Sequence, residues 1–198
     1  DQLEKSKLLR QGVMDNASKP IDDNRVQFFF KGPINDGGTF CGVADLVDKY
    51  GLVPKQIMPE TFSSDNTSKA TSLIKSKLRE YGLVLRDMVA AGKKQTAIKA
   101  EKTRMLTDVY RMLCLVFGEP PTQFDYAFTD KKGVAKTETK TYTPMSFAKE
   151  ILGDKQIKGS FIMVMNDPRR DYYKTYEVDL DRHTYDGTNW KYLTLPLD

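Results

Sequence analysis

Histidine and cysteine are nearly missing: the 198 residues hold one histidine, His183, and two cysteines, Cys41 and Cys114. Zinc sites take several His or Cys ligands at short spacing, so no such donor set exists here, and neither a metal nor an organic cofactor is expected. Two cysteines make no disulfide framework. Both stand in apolar stretches, where a reduced, buried thiol is the expectation. Long hydrophobic runs are also missing. The longest, such as Leu113–Phe117, is far too short to cross a bilayer, so no membrane association is expected. No secretory leader is visible. Neither a Gly-x-Ser-x-Gly elbow nor a Gly-x-x-x-x-Gly-Lys-Ser/Thr loop occurs, which removes the motif-based case for a serine hydrolase or a P-loop nucleotide enzyme.

What is present is a polar, mildly basic chain. Charged residues make up 29% and the net charge is +4; the mean hydropathy is -0.53. Basic and acidic residues are interleaved rather than gathered on one stripe, the pattern of a solvated mixed surface rather than of a nucleic-acid binder. A hydrophobic share of 39% suffices for a core.

Hydrophobic spacing gives the elements. Gln2–Met14 reads as an amphipathic helix through Leu3, Leu8, Leu9 and Val13, the tail of a helix that began upstream, so residues are expected before Asp1. Arg25–Lys31 is apolar enough for a buried strand or a short helix, and periodicity does not decide between them. After Asn35-Asp36-Gly37-Gly38, the residues Phe40, Val43, Leu46, Val47 and Tyr50 recur at three and four, one face of a helix closed by Gly51 as its C′ residue. Thr61–Ser68 reads as a linker that supplies helix caps. Two long helices follow, Ser68–Ala91 with the stripe Ile74, Leu78, Tyr81, Leu85, Met88, and Gln95–Phe117 with Met105, Val109, Met112, Val116. Joined at Gly92, they form a helical hairpin whose stripes must be buried by each other or by another subunit.

Beyond Gly118–Pro121 the period changes to two. Phe124–Thr129 and Val134–Tyr142 read as a hairpin about Asp130-Lys131-Lys132-Gly133. Thr143-Pro144 opens a short helix with Phe147, Ile151 and Leu152 on its buried side. Phe161–Met165 reads as a buried strand, and Tyr172–Asp179 and Tyr192–Leu195 as further strands. The expected class is α+β, interrupted by an inserted helical pair. The segments are 1–60, 61–121 and 122–198.

Cys41, His183 and Asn189 stand in the chain order of a cysteine nucleophile, an imidazole base and an orienting amide. The Cys-to-His separation falls in the range of about 130–150 residues expected for papain relatives. Their contexts argue otherwise. Cys41 follows Thr39-Phe40 on a mostly apolar helix face, outside any Cys-Gly-Ser-Cys-Trp-like signature, and His183 lies beside a turn. The acidic pairs Asp22-Asp23 and Asp179 with Asp181 read as solvated surface. Lys131, Lys132, Lys136 and Lys140 form a basic hairpin that suits a protected edge better than a nucleic-acid contact, which stays a weak alternative.

One string is specific. Asn35-Asp36-Gly37-Gly38-Thr39-Phe40, an apolar helix, Lys49-Tyr50-Gly51-Leu52-Val53-Pro54-Lys55, and Met58-Pro59-Glu60 resemble the bleomycin hydrolase / aminopeptidase C family of papain-like cysteine peptidases. Gly118-Glu119-Pro120-Pro121, Asp130-Lys131-Lys132, Thr143-Pro144, Asn166-Asp167-Pro168 and the Tyr192–Asp198 ending are similar to it in order and spacing. The resemblance implies part of a papain-like fold with an inserted helical hairpin. It implies a thiol aminopeptidase acting on peptides in a reducing, cytoplasmic setting, assembled as a homo-oligomer, a hexamer in that family. On that register the nucleophile precedes this segment and the catalytic His and Asn follow it. Cys41 and His183 fall on non-catalytic positions, and no catalytic residue is assigned. Gly37 and Gly38 would border the cleft and pair with substrate backbone, with Thr39 and Phe40 flanking a side-chain subsite; without a Cβ, a peptide main chain comes within hydrogen-bonding distance. A tight turn into a helix is the plainer account of the same glycines. A non-catalytic assembly module is the rival function.

Overall fold

The computed structural model describes residues 1–35, 37–154, 157–178 and 181–197. By internal contacts the chain divides into two compact units, Asp1–Gly37 with Glu60–Glu119, and Gly38–Pro59 with Pro120–Asp198.

The first unit is helical among its described residues: α1 (Gln2–Asp15), α2 (Asn24–Lys31), α4 (Phe62–Asp65), α5 (Ser68–Ala90) and α6 (Gln95–Phe117). Its core is the stripe expected from spacing. Ile74, Leu78, Tyr81 and Leu85 of α5 meet Met105 and Val109 of α6, with Leu9 of α1 and Ile34 closing the cluster. The stripes of the helical pair are therefore buried within this chain, by each other and by α1. Residues 25–31 are helical because Asp23 caps them, its Oδ1 accepting from Arg25 N at 2.8 Å and Val26 N at 3.4 Å. Phe29 and Phe30 of α2 then fill two glycine notches. A Cβ on Gly12 of α1 would lie 2.3 Å from Phe29 Cζ, and one on Gly82 of α5 would lie 2.8 Å from Phe30 Cζ. This explains a helix-weakening glycine in the middle of α5. On α5, Arg79 donates to the carbonyls of Phe30 and Lys31, and Arg86 to those of Asn16 and Lys19, so two cations satisfy carbonyls at the C-terminal ends of α2 and α1. The linker expected over Thr61–Ser68 contains the single turn α4, held by a reciprocal Thr61–Ser64 capping box.

The second unit holds α3 (Phe40–Tyr50), a hairpin of β1 (Phe124–Tyr126) and β2 (Lys140–Tyr142), α7 (Pro144–Leu152), and a three-stranded sheet of β3 (Met163–Met165), β4 (Thr175–Glu177) and β5 (Lys191–Thr194). The central β5 runs parallel to β3 and antiparallel to β4. Phe124, Tyr142 and Phe147 make one aromatic cluster, with Tyr126 and Phe128 against it. The strands are shorter than expected. Between Tyr126 and Lys140 only an isolated Thr129–Ala135 bridge pairs the hairpin, because Asp130 accepts from Lys132 N and Val134 N and draws the backbone into a wide turn. The strand expected over 172–179 is confined to Thr175–Glu177, and Asp179 lies outside the described residues. Gly51 ends α3 with φ 78°, and its missing Cβ admits the Pro144 carbonyl, which accepts from Leu52 N at 3.0 Å.

Three burial expectations fail. On α3, Val47 of the expected stripe is buried, but Phe40, Val43 and Tyr50 are about half exposed, and the helix is otherwise buried through Cys41, Gly42, Ala44 and Asp45. Phe161, Ile162 and Val164 around β3 are exposed, as are Ile151 and Leu152 of α7.

Candidate functional site

The Gly37–Phe40 segment leads into α3. Gly37 is exposed, and its carbonyl accepts from Lys5 Nζ at 2.7 Å. The same ammonium reaches the Asn35 carbonyl and side chain, holding this stretch in place. Gly38 is exposed, and neither its N–H nor its carbonyl bonds a described residue. Gly38 has no positive φ, and a Cβ on either glycine would meet nothing described within 4 Å. Thr39 takes the N-cap position in extended conformation, without a side-chain cap bond. Phe40 is 48% exposed and meets Phe161 edge-to-face at 4.7 Å between ring centroids. Asp36 of the same motif lies outside the described residues.

Behind this segment the buried side of α3 is organised by two carboxylates that the sequence reading passed over. Asp45, 5% exposed, accepts from His183 N at 2.9 Å and Trp190 Nε1 at 3.1 Å, and pairs with Lys158 Nζ at 3.0 Å. One turn further, Asp48 accepts from Ile157 N at 2.9 Å and Lys158 N at 3.1 Å, capping the 3-10 turn Lys158–Ser160. Lys158 Nζ also donates to the Thr188 carbonyl and lies 4.7 Å over the Trp190 ring. The available signal was two aspartates, three apart, on an otherwise apolar helix: a buried acid must be paired.

Cys41, His183 and Asn189 are each engaged with groups outside the trio. Cys41 does sit in the first turn of a helix, but it is 2% exposed. Its sulfur lies 3.9 Å from Tyr192 Oη, which donates to Asp181 Oδ2 at 2.5 Å. Burial, and after it the bonds to Asp181 and Cys41, push the Tyr192 phenol above its usual range. The His183 ring covers Gly42, where a Cβ would come within 2.8 Å of Nδ1. The Asn189 amide is committed elsewhere: its oxygen accepts from Arg182 Nη1 at 2.8 Å and its nitrogen donates to Glu177 Oε1 at 3.0 Å. Cys114 is half-buried on α6 and bonds Tyr110. Among the described residues no three His, Cys, Asp or Glu side chains stand together as a metal site. No described helix is long and apolar enough to cross a membrane.

Comparison with known proteins identifies the family. Residues 1–198 match the Peptidase C1-like family. Aminopeptidase C of Lactobacillus delbrueckii subsp. lactis is 34% identical over 200 residues, and that of Streptococcus thermophilus 32% over 200. Human bleomycin hydrolase is 30% identical over 203. All of this chain is covered in each alignment, but only 44% of each relative, so the chain spans under half the length of the relatives it matches. The crystal structure of PepW from Lactobacillus rhamnosis HN001 superimposes with a TM-score of 0.90 at 32% identity, covering 100% of this chain and 44% of that one. Sequence and fold agree along the whole chain, which belongs to the Peptidase C1-like family of cysteine peptidases.

Proposed function

We propose that this chain is the part of a thiol aminopeptidase that supplies a wall of the peptide groove, while the nucleophilic cysteine and the imidazole base are carried by flanking polypeptide. In the complete enzyme the thiolate attacks the carbonyl of the first peptide bond. The imidazolium protonates the leaving amine, and water then releases the amino acid from the acyl-enzyme. Gly38 presents its N–H and carbonyl to the substrate backbone, next to Gly37, while Thr39 and Phe40 flank a side-chain subsite. The observation that carries this reading is glycine where the fold does not ask for it: Gly38 has an ordinary φ, open space at its Cβ position and main-chain groups that bond no described residue. A tight turn needing glycine would show a positive φ or a close neighbour, and Gly38 has neither. Peptides are the proposed substrates, and a reducing compartment such as the cytoplasm the proposed setting, because a free thiol must persist.

An assembly role for the helical pair is kept on different residues from those first expected. Its stripes are consumed inside the unit, but Leu73 of α5 and Leu115 of α6 are 64% and 88% exposed. These are the positions a homo-oligomer would bury.

The test is kinetic. The isolated chain is expected to leave aminoacyl-coumarin substrates intact; turnover abolished by Cys41→Ala would move the nucleophile into this chain and sink the proposal. In the complete enzyme, Gly38→Ala is expected to lower kcat/KM about tenfold by obstructing one main-chain contact, with the melting temperature unchanged. A Gly38→Ala enzyme with wild-type kinetics would remove Gly38 from the groove.

A further inference from the structure

The second unit contains a cavity of about 670 Å³, walled by Lys158, Phe161, Glu177, Arg182, Trp190 and Lys191 among others. Its charges are not balanced. Among the described lining residues three cations face one carboxylate, and that carboxylate, Glu177, is turned onto the Asn189 amide. Lys158 is neutralised by Asp45 and held over the Trp190 ring, so it is part of the wall rather than a free group. Arg182 is different. Its Nη1 is fixed by Asn189, which aligns the guanidinium plane, while its Nε is buried without any hydrogen-bond partner. A buried N–H is rarely left orphaned, and a positioned guanidinium with a spare donor presents the geometry a carboxylate takes. Lys191 adds a second cation that pairs with no described residue. Trp190 and Phe161 give the same cavity two aromatic walls.

We propose that this cavity binds the carboxylate of a peptide, with the Arg182 guanidinium and the exposed Lys191 on the anion and the peptide's apolar body against Phe161, beside the Trp190 indole. The volume admits a segment of two or three residues and is far larger than a lone inorganic anion needs. None of Gly37, Gly38, Thr39 and Phe40 lines the cavity, although Phe161 of its wall meets the Phe40 ring.

Trp190 is the only tryptophan in the chain, so its fluorescence reports this cavity without background. The chain is titrated with acetyl-Ala-Phe bearing a free carboxylate, with acetyl-Ala-Phe amide, and with inorganic phosphate. The free acid is expected to shift Trp190 emission in a saturable way. The amide is expected to bind at least tenfold more weakly, and phosphate to leave the emission unchanged. Arg182→Gln is expected to weaken the acid at least tenfold and Lys191→Gln severalfold, with Arg182→Lys recovering part of the loss. Circular dichroism checks that Arg182→Gln folds; if it does not, the exposed Lys191→Gln and the acid-to-amide ratio decide. Equal titration by acid and amide, an effect of phosphate equal to that of the acid, or no change in Trp190 emission at millimolar acid would each overturn the proposal.

Discussion

At the centre of the helical unit stand Leu78, Tyr81, Leu85 and Met105, each buried against other apolar side chains. At the same depth in the mixed unit stands Asp45, buried against a lysine, an indole N–H and a backbone amide. The first core rests on non-directional burial, to which many residues contribute a little. The second gathers three segments, around Lys158, His183 and Trp190, onto one carboxylate. Such an arrangement fails sharply when its centre is removed, because the donors left behind stay buried and unpaired.

The largest expected effect follows from this difference. Asp45→Ala should cost about 3 kcal/mol or more, since it strands the Trp190 and His183 N–H groups and uncovers the charge on Lys158. Asp45→Asn keeps an acceptor and should cost roughly half as much. In urea, Trp190 fluorescence follows the mixed unit and far-ultraviolet ellipticity is dominated by the long helices. Asp45→Ala should move the fluorescence midpoint more than the ellipticity midpoint. Leu85→Ala in the other core should cost ~3 kcal/mol through its cavity and move them in the opposite order. Two midpoints that shift together in both variants would mean that the units unfold as one, and the contrast would not hold.

That asymmetry also decides what the sequence made legible. The long helices α5 and α6 were read almost to the residue because their burial is apolar and periodic, and periodicity survives in the sequence. The same rule misread α3. Of its three- and four-spaced apolar residues Val47 is buried but Phe40, Val43 and Tyr50 face outward, and the buried side depends on Asp45 and Asp48, whose partners lie more than a hundred positions along the chain. The local pattern shows two aspartates on an apolar helix, but not the distant donors that pair with them. The Gly37–Phe40 segment was legible as a motif, but the division of labour within it was not. That Lys5 occupies the Gly37 carbonyl, while Gly38 keeps both main-chain groups free of described partners, appears only in the fold.

A smaller effect separates glycines kept for packing from glycines kept for access. At Gly12 an added Cβ meets the Phe29 ring at 2.3 Å, while at Gly38 it meets nothing. Gly12→Ala gains about 1 kcal/mol of helix propensity but overpacks the notch at a cost of roughly 1–3 kcal/mol. The net expectation is a loss of ~1 kcal/mol. Shortening the partner in Gly12→Ala with Phe29→Leu should recover part of it, a coupling that a double-mutant cycle reads directly. Additive effects in that cycle would show that ring and glycine do not interlock.

The smallest effect is a matter of pH and again sets the two units apart by kind of contact. Tyr81 is buried in the helical core and donates to Asp108 Oδ2 at 2.7 Å. Burial first, and then that bond, push its phenol up to about 12. A tyrosine whose ionisation is harder in the folded state favours folding while both states are protonated. Its contribution is therefore complete below pH about 10, where the unfolded phenol begins to ionise, and is lost as pH rises toward the folded value near 12. Tyr81→Phe removes the ionising group and the Asp108 bond together. The variant should be modestly less stable at neutral pH, and its stability should fall less steeply than the wild type's above pH about 10. Tyrosinate absorbance alongside urea midpoints gives both readings. Parallel pH curves for wild type and Tyr81→Phe would mean that the Tyr81 phenol ionises as easily folded as unfolded, and that the Asp108 bond does not hold its proton.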